Sequence, residues 1–395
     1  RDVLGSRGLG DVYKRQTMKW IVSLLSILIL ILLQSCSQNQ SSSETHSTEA
    51  AKVLDINNIK INNTEPALSV SEVIKLETVG NKALINQISK IIRYDKQLYI
   101  LTQVPQNGVF IFSDNGVFNC KIPKGRANNE LLYPMDIALD ESTGNLLVLD
   151  LYRAVKVFSA TGKYKKLINL DIPLFHLEHM RNDDLVFYSS NIAKNTHNFY
   201  CYDQDRKLKG LYKNLYKGKP YLFSDILTKL NPDSLFVHSV FSDTIYLYRP
   251  EYKSLQPFFI MDYGGKGVNE NISELNDVGS HLQYAQKNNR YIGLQIAYYH
   301  NKKLFFSFSR GKADYWAVFS EADNRLTAYE KLFDELPNHY GLTGHAAEHV
   351  IYAYDIPWLK KHFEKHPPGT EQGKRIEAMC ANEDDNPIIV FAKFS

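Results

Sequence analysis

The sequence predicts an all-β protein, a six-bladed β-propeller with a short helical insertion in its last blade. The prediction rests on a repeated strand-rich unit, on 25 Tyr and 20 Phe, and on the near absence of helical segments between Ser69 and Asn338. Aromatic residues suit strands more than helices. A parallel α/β fold needs helices that alternate with its strands, so that class is excluded. A β-sandwich is the structural alternative, but this many strands would require two of them.

The repeated unit ends in an aromatic strand followed by a turn, as in "VFIFSDNG" and "VKVFSATG". Two further strands precede it in most copies, and the first four copies are spaced by roughly 45 residues, the period of a four-stranded propeller blade. Six copies predict six blades. The equivalent aromatic residues are Phe112, Phe158, Tyr202, Tyr248, Phe319 and Phe391.

Two longer intervals between copies predict insertions. "GGKGVNENISELNDVGS" precedes the fifth blade, and "DIPWLKKHFEKHPPGTEQGKRIEAM" lies inside the sixth. The second reads as helix, with Asp355 as the N-cap and Pro357 in the first turn. Its Trp358 and Phe363 share one face, which predicts packing over the sixth blade. The early strand Ser71–Val79 is expected to pair with the last blade and close the ring.

The first part of the chain reads as an export signal. Met18 and Lys19 are followed by an apolar run from Trp20 to Leu33 that is too short to span a bilayer comfortably. Leu33-Gln34-Ser35-Cys36 is typical of a lipobox, which predicts cleavage before a lipidated Cys36. An ordinary signal peptide with a chance cysteine is the alternative.

These features divide the chain into four parts. Residues 6–16, "SRGLGDVYKRQ", match an in-frame translation of a sequencing-library adapter, so residues 1–17 are expected to be non-native. The others are a lipoprotein signal peptide (18–35), a polar tether (36–68) and the propeller (69–395). Ser37 and the lack of an acidic run after Cys36 favour an outer-membrane lipoprotein that faces the periplasm, with surface display as the alternative.

Charge and cysteine content exclude several functions. The formal net charge is +3, but residues 1–19 hold five Lys/Arg and two Asp, so the remainder is neutral. No basic block is present, and nucleic acid is excluded as a partner. Cys120, Cys201 and Cys380 show no close spacing, so they predict no metal site and at most one disulfide. Cys120 and Cys201 lie in apolar alternating runs, which favours buried thiols.

The order of these features resembles the bacterial lipoproteins with a six-bladed β-propeller of NHL-like repeats, most of unassigned function. The match covers roughly Ser69 to Ser395 and is carried by "VIKLETVGNKALINQISKIIRYDKQLYIL", "YPMDIALDESTGNLLVLD" and "NEDDNPIIVFAKF". Such proteins often carry Gly-x-Gly-Pro-Gly-Glu-Tyr after the first blade. Here that loop reads "KGRANNELLYP", so its role in the family does not carry over.

The segment "HAAEH", His345 to His349, formally matches the H-x-x-E-H pattern of some zinc proteases. That chemistry needs both histidines on one helical face. Gly341 and Gly344 precede the segment and "VIYAYD" follows it, so the repeat register makes Glu348 and His349 the entrance to a strand. A loop near the mouth of the ring is the better interpretation.

The sequence therefore predicts a lipid-anchored binding or interaction module outside the cytoplasm, with a protein or glycan ligand. No catalytic residue, metal ligand or cofactor is predicted. The alternative is a carbohydrate- or lactone-active lyase or hydrolase with its site in the channel. Binding is expected in the loops at the channel mouth, at Lys124, Arg126, Asn128, Glu130, His339 and His345.

Overall fold

The computed structural model of the chain describes residues 50–80, 83–102, 106, 108–190, 192, 195–203, 205–213, 227–239, 241–268, 277–339 and 341–394. The predicted adapter, signal peptide and Cys36 lie outside these residues. Within them the chain forms six sheets in chain order, each with an antiparallel core, and the ring is the predicted six-bladed β-propeller.

Blades 1 to 3 each consist of four consecutive strands, the first strand innermost. Their bounds are β4 Ile88–Tyr94, β5 Gln97–Thr102, β6 Gly108–Ser113 and β7 Phe118–Lys121; β8 Pro134–Asp140, β9 Asn145–Asp150, β10 Ala154–Phe158 and β11 Tyr164–Asn169; β12 His176–His179, β13 Leu185–Tyr188, β14 His197–Tyr202 and β15 Leu208–Lys213.

Blades 4 to 6 each include a strand from the N-terminal part of the chain at their outer edge. Their bounds are β16 Leu227–Asn231, β17 Ser234–Val237, β18 Thr244–Arg249, β19 Ser254–Asp262 and β1 Lys52–Asp55; β20 Tyr291–His300, β21 Lys303–Arg310, β22 Ala313–Ser320, β23 Arg325–Tyr329 and β2 Lys60–Asn62; β24 Gly344–Ala346, β25 His349–Tyr354, β26 Ile388–Phe394 and β3 Leu68–Lys75.

The ring is closed by β3, which pairs antiparallel with β26 and completes the sixth blade. This confirms the predicted role of the early strand. The six aromatic positions of the repeat all lie in the third strand of their blades, as predicted. Buried apolar residues of the described chain form six clusters, and each cluster joins two adjacent blades.

The structure differs from the predicted tether over residues 36–68. β1 pairs parallel with β19 and β2 pairs parallel with β23, so residues 52–62 form a strap along the outer edges of blades 4 and 5. Leu54 and Ile56 are buried against the apolar face of blade 4. These two strands are short and are flanked by polar residues, so the sequence of this segment resembles a polar tether.

The helical insertion in blade 6 is confirmed. Helices α2 (Ile356–Lys365) and α3 (Glu371–Met379) follow β25, with Asp355 at the N-cap position and a proline in the first turn of α2. Phe363 and Ile376 are buried against blade 6, whereas Trp358 is 39% exposed. Helix α1 (Val278–Lys287) precedes blade 5. Among the described residues, no helix is both long and apolar enough to cross a membrane.

The first strands of the blades line the central channel and approach one another closely. The Ile91 N–H donates a hydrogen bond of 2.6 Å to the Thr343 carbonyl, which joins blade 1 to blade 6. Gly344 is required there, because a Cβ atom at this position would lie 2.2 Å from the Ile91 carbonyl oxygen. Side chains on the first strands therefore meet across the blade boundaries.

Candidate functional site

The candidate site is an open cavity of about 600 Å³ at one end of the channel, hereafter the channel cavity. It lies at the end where the first strand of each blade turns into the second. Inner strands of blades 1, 2, 3, 4 and 6 contribute to its wall. The polar side chains in this wall include Lys90, Arg93, Glu141, Glu178, Lys229 and His345.

A buried ion cluster forms one wall of the channel cavity. Lys90 Nζ lies 2.8 Å from Glu178 Oε1 and 3.1 Å from Asp136 Oδ1. Asp136 and Glu178 are almost completely buried, and each comes from a different blade. One ammonium group therefore holds two carboxylates together at the position where inner strands of blades 1, 2 and 3 converge.

The protonation of this cluster follows from burial and from the two charge pairs. Burial alone would lower the pKa of Lys90, but the negative charges of Asp136 and Glu178 raise it. Burial alone would raise the pKa of Asp136, yet Lys90 and a hydrogen bond from His176 lower it. Burial raises the pKa of Glu178 despite the attraction of Lys90, and the nearby Asp136 adds to the rise. Lys90 and Asp136 are thus firmly charged, and Glu178 is the carboxylate most ready to take a proton.

Asp136 is positioned by further donors from blade 3. The Leu177 N–H donates to Asp136 Oδ2 at 2.9 Å, and His176 Nδ1 lies 3.5 Å from the same oxygen. The Nε2 atom of His176 is buried without a hydrogen-bond partner. These contacts hold the Asp136 carboxylate in one orientation toward Lys90.

A second lysine lies on the blade 4 side of the channel cavity. Lys229 Nζ lies 2.8 Å from Glu141 Oε1, and the Lys229 side chain is only 11% exposed. Lys90 and Lys229 therefore both have carboxylate partners. The charges of the wall are largely compensated within the protein.

His345 lies on β24 and lines the channel cavity on the blade 6 side. Its ring contacts the ring of Tyr298, with 4.8 Å between centroids. Burial lowers the pKa of His345 to about 3, and the positive charges of Lys90 and Lys229 add to the effect. His345 is therefore a neutral imidazole near pH 7, able to donate one hydrogen bond and accept another.

Successive residues on β8 and β12 face two different cavities, because side chains alternate along a strand. Glu178 lines the channel cavity, whereas His179 lines a second cavity of about 420 Å³. This second cavity lies between blades 2 and 3 and is hereafter the junction pocket. Leu139 of β8 likewise faces the channel cavity and Asp140 the junction pocket.

The predicted residues of the loop after blade 1 lie away from the channel cavity. Lys124, Arg126 and Asn128 are exposed on the connection into β8, at the opposite end of that strand from Glu141. Glu130 folds back on its own loop, where its carboxylate accepts the Ala127 N–H at 3.0 Å. The structure does not bring these four residues together with His345.

His339 lies against the helical insertion. Its ring contacts those of Tyr352, Tyr354 and Trp358, with centroid distances of 5.4 to 5.6 Å. Burial lowers the pKa of His339, so this ring is also neutral near pH 7. It packs among aromatic rings outside the wall of the channel cavity.

The "HAAEH" segment is not helical. His345 and Ala346 belong to β24, and His349 begins β25, as the repeat register predicted. Glu348 lies in the turn between these strands and pairs with Lys393. The two histidines therefore do not share the helical face that the zinc-protease pattern needs.

Sequence reasoning missed Lys90, Asp136, Glu178 and Lys229. A signal was available, because each is a charged residue inside the first strand of a blade, where the neighbouring residues are largely apolar. An alignment of the six repeats by their first strands would have brought these positions together with His345.

Comparison with known proteins places this geometry in a family. The family model described as "Domain of unknown function (DUF4934)" matches residues 51–393. The chain resembles the crystal structure of a candidate exported protein from Bacteroides fragilis, with 16% identity and a TM-score of 0.73 over 87% of this chain and all of the other. No curated protein matches the sequence significantly.

Two other solved structures are much less similar. Hydrazine synthase from Kuenenia stuttgartiensis has a TM-score of 0.42 at 10% identity, over 79% of this chain and 89% of the other. BamB from Moraxella catarrhalis has a TM-score of 0.39 at 11% identity, over 73% of this chain and 72% of the other. Neither supports a functional argument. The family model, in contrast, covers nearly all of the described propeller. The chain therefore belongs to the DUF4934 family, whose function is unassigned, and folds as a six-bladed β-propeller.

Proposed function

We propose that this protein is a lipid-anchored, extracytoplasmic binding module that holds a neutral polar ligand, such as a segment of a glycan, in the channel cavity. The observation that carries the proposal is the ion cluster of Lys90 with the buried Asp136 and Glu178, of which Lys90 and Glu178 line an open cavity. Buried ion pairs contribute little to stability compared with apolar packing. Their presence at a cavity of ligand size favours a binding role.

The charge distribution of the wall supports the class of ligand. Lys90 and Lys229 are both paired with carboxylates, so a charged ligand would have to compete with these partners. The wall also presents carboxylate acceptors, ammonium donors and the neutral His345 imidazole. Hydroxyl groups both donate and accept hydrogen bonds, so a hydroxyl-rich ligand can satisfy such a mixed surface without a net charge.

A carbohydrate- or lactone-active enzyme is the other class that the sequence leaves open. Three or more His, Asp or Glu side chains within metal-binding distance in the channel would favour it. Among the described residues, the one group that meets this condition lies in the junction pocket. Asp136 and Glu178 in the channel face the Lys90 ammonium, which supports binding as the function.

The cellular location rests on the sequence and on the relative. The apolar run after Met18 and the lipobox at Cys36 support export and lipidation. The Bacteroides fragilis relative is named as a candidate exported protein. Mass spectrometry of the native N-terminus tests this part. A diacylated Cys36 at the start of the mature chain is expected, and an unmodified Cys36 in the mature protein would contradict it.

Ligand binding is tested with a panel of neutral oligosaccharides and uncharged peptides, first by thermal shift and then by calorimetry. Glu141→Gln alters a partly exposed residue of the channel cavity, and Lys124→Met serves as a control in the loop after blade 1. We expect an oligosaccharide to bind the wild-type protein and Lys124→Met equally, and Glu141→Gln at least tenfold more weakly.

Two results would contradict the proposal in different ways. Binding that is lost in Lys124→Met and kept in Glu141→Gln would move the site to the opposite end of the channel. Binding of peptides and no oligosaccharide would reject the glycan class while leaving the cavity as the site.

A further inference from the structure

The junction pocket holds a group of side chains that the proposed function does not use. One ligand atom each from Asp140, His179 and Asp183 lies within 4.8 Å of the other two. Asp140 ends β8, His179 ends β12, and Asp183 lies in the turn after β12. We propose that Asp140, His179 and Asp183 bind a divalent transition-metal ion in this pocket.

The spacing of these atoms fits ligands of one ion. Two metal bonds of about 2.1 Å at ordinary angles hold a nitrogen and an oxygen roughly 3–4 Å apart. His179 Nε2 lies 3.5 Å from Asp183 Oδ1, and His179 Nδ1 lies 3.9 Å from Asp140 Oδ1. Because an imidazole binds an ion through one nitrogen, these two pairs are alternative positions for the same ion, and one ligand atom of each residue lies within 4.8 Å of the other two.

Burial also suits a metal site. His179 and Asp140 side chains are 9% and 8% exposed, whereas Asp183 is 79% exposed and can adjust its position. Two of the three ligands are therefore held by the surrounding protein, and the third is free to approach an ion in the pocket.

The local structure holds Asp140 in place. Its Oδ1 atom accepts hydrogen bonds from the Ser142 N–H at 3.0 Å and the Ser142 hydroxyl at 2.6 Å. Asp183 lies in a turn in which Asn182 and Asp183 have φ values of 64° and 61°, a conformation that Asn and Asp tolerate better than other side chains. Asp140 is thus fixed by hydrogen bonds within its own turn, whereas Asp183 lies on an exposed turn that lines the pocket.

The donor set indicates the class of ion. One imidazole and two carboxylates suit Zn²⁺, Mn²⁺ or Co²⁺, whereas Ca²⁺ and Mg²⁺ favour sites made of oxygen atoms alone. The pocket of about 420 Å³ provides an entry path and room for water as further ligands. Binding of an ion in the junction pocket does not depend on a ligand in the channel cavity.

The test uses the purified full chain without a polyhistidine tag, treated with EDTA and then dialysed. Calorimetry with Zn²⁺, Mn²⁺, Ca²⁺ and Mg²⁺ is combined with elemental analysis of the metal retained per chain. The variants are Asp183→Asn, at an exposed position, and His179→Gln, and circular dichroism checks that both are folded. Asp205→Asn is the matched control, since it removes an equally exposed carboxylate from another turn of blade 3.

We expect one Zn²⁺ or Mn²⁺ per wild-type chain and per Asp205→Asn chain, and at least tenfold weaker binding in Asp183→Asn and His179→Gln. Equal binding by the wild type and Asp183→Asn would overturn the proposal, because other surface groups would then hold the ion. Binding of Ca²⁺ or Mg²⁺ as tight as that of Zn²⁺ would overturn the assigned class of ion. The absence of one-to-one binding by the wild type would overturn the site itself.

Discussion

The ammonium group of Lys90 lies 2.8 Å from the carboxylate of Glu178, although blade 2 lies between the blades that carry them. This contact is possible because the first strands of all blades converge on the channel. A long side chain on blade 1 can then reach past Asp136 of blade 2 to blade 3. Lys90, Asp136 and Glu178 thus link three blades by charge beside the channel cavity.

Replacement of Lys90 tests the contribution of this contact to stability. Lys90→Met leaves Asp136 and Glu178 buried without their shared cation. We expect the free energy of unfolding to fall by about 3–5 kcal/mol, the range for a buried charge that loses its partner. Urea denaturation of the variant and the wild type measures the difference.

Two variants serve as controls for this prediction. Lys96→Met, at an exposed position in the turn after β4, is expected to change the free energy of unfolding by less than about 0.5 kcal/mol. The double variant Lys90→Met with Glu178→Gln should be more stable than Lys90→Met alone. If Lys90→Met is as stable as Lys96→Met, the cluster does not carry the energy assigned to it.

His345 predicts a loss of stability in mild acid. Its pKa in the folded protein is lowered to about 3, so the unfolded chain takes up a proton as the pH falls through about 6.5 and the folded chain does not. The contribution of His345 to the free energy of unfolding therefore decreases on going from pH 7.5 to pH 5, by about 2 kcal/mol. Urea midpoints at the two pH values measure the change.

The variant His345→Gln should show a smaller decrease between pH 7.5 and pH 5 than the wild type. His366→Gln, at an exposed histidine after α2, should keep the wild-type decrease. Equal pH dependence of the wild type and His345→Gln would mean that the imidazole takes up its proton in the folded state as readily as in the unfolded chain.

The strap predicts that two of its apolar residues, Val53 and Ile56, contribute very differently to the free energy of unfolding. Ile56 is fully buried against blade 4, whereas Val53 is 60% exposed. Ile56→Ala is expected to lower the free energy of unfolding by about 2–5 kcal/mol, and Val53→Ala by less than about 0.5 kcal/mol. Thermal and urea denaturation of the two variants provide the measurement. Equal, small effects would show that residues 52–62 behave as a tether in solution.

The three cysteines of the propeller are expected to react with a thiol reagent at different rates. Cys120, Cys201 and Cys380 are all free thiols, and Cys120 is the most accessible. Burial raises the pKa of Cys201 to about 11 and that of Cys380 to about 11. Since the thiolate is the reactive form, a thiol reagent at pH 8 should modify Cys120 first. All three should react after denaturation, and a count of one instead would indicate a disulfide.

The repeat made the architecture predictable from the sequence. Aromatic residues such as Phe112 and Phe158 recur in the third strand of their blades because these blades bury the same face against the preceding blade. Asp355 and Pro357 marked the start of α2. These features depend on local periodicity and on helix capping, which are visible in one sequence.

The channel cavity could not be predicted in the same way. Its residues lie on the first strands of different blades, far apart in the sequence, and they come together only when the ring closes. His345 was identified because it stands out in a short segment, whereas Lys90 and Glu178 sit singly among apolar residues. The strap was missed because parallel pairing with β19 and β23 depends on edges that form about 200 or more residues later.

The strap also imposes an order of events on folding. Residues 52–75 are the first part of the propeller to be synthesised, yet their partners lie in blades 4, 5 and 6, and the last of these ends at Phe394. β1, β2 and β3 are therefore made before their partner strands and stay without them until blade 4, blade 5 and finally blade 6 have been synthesised, and unpaired strands are prone to association. The pairing of β3 with β26 closes the ring and can form only after Phe394 has been made, so the strand that seals the propeller waits longest for its partner.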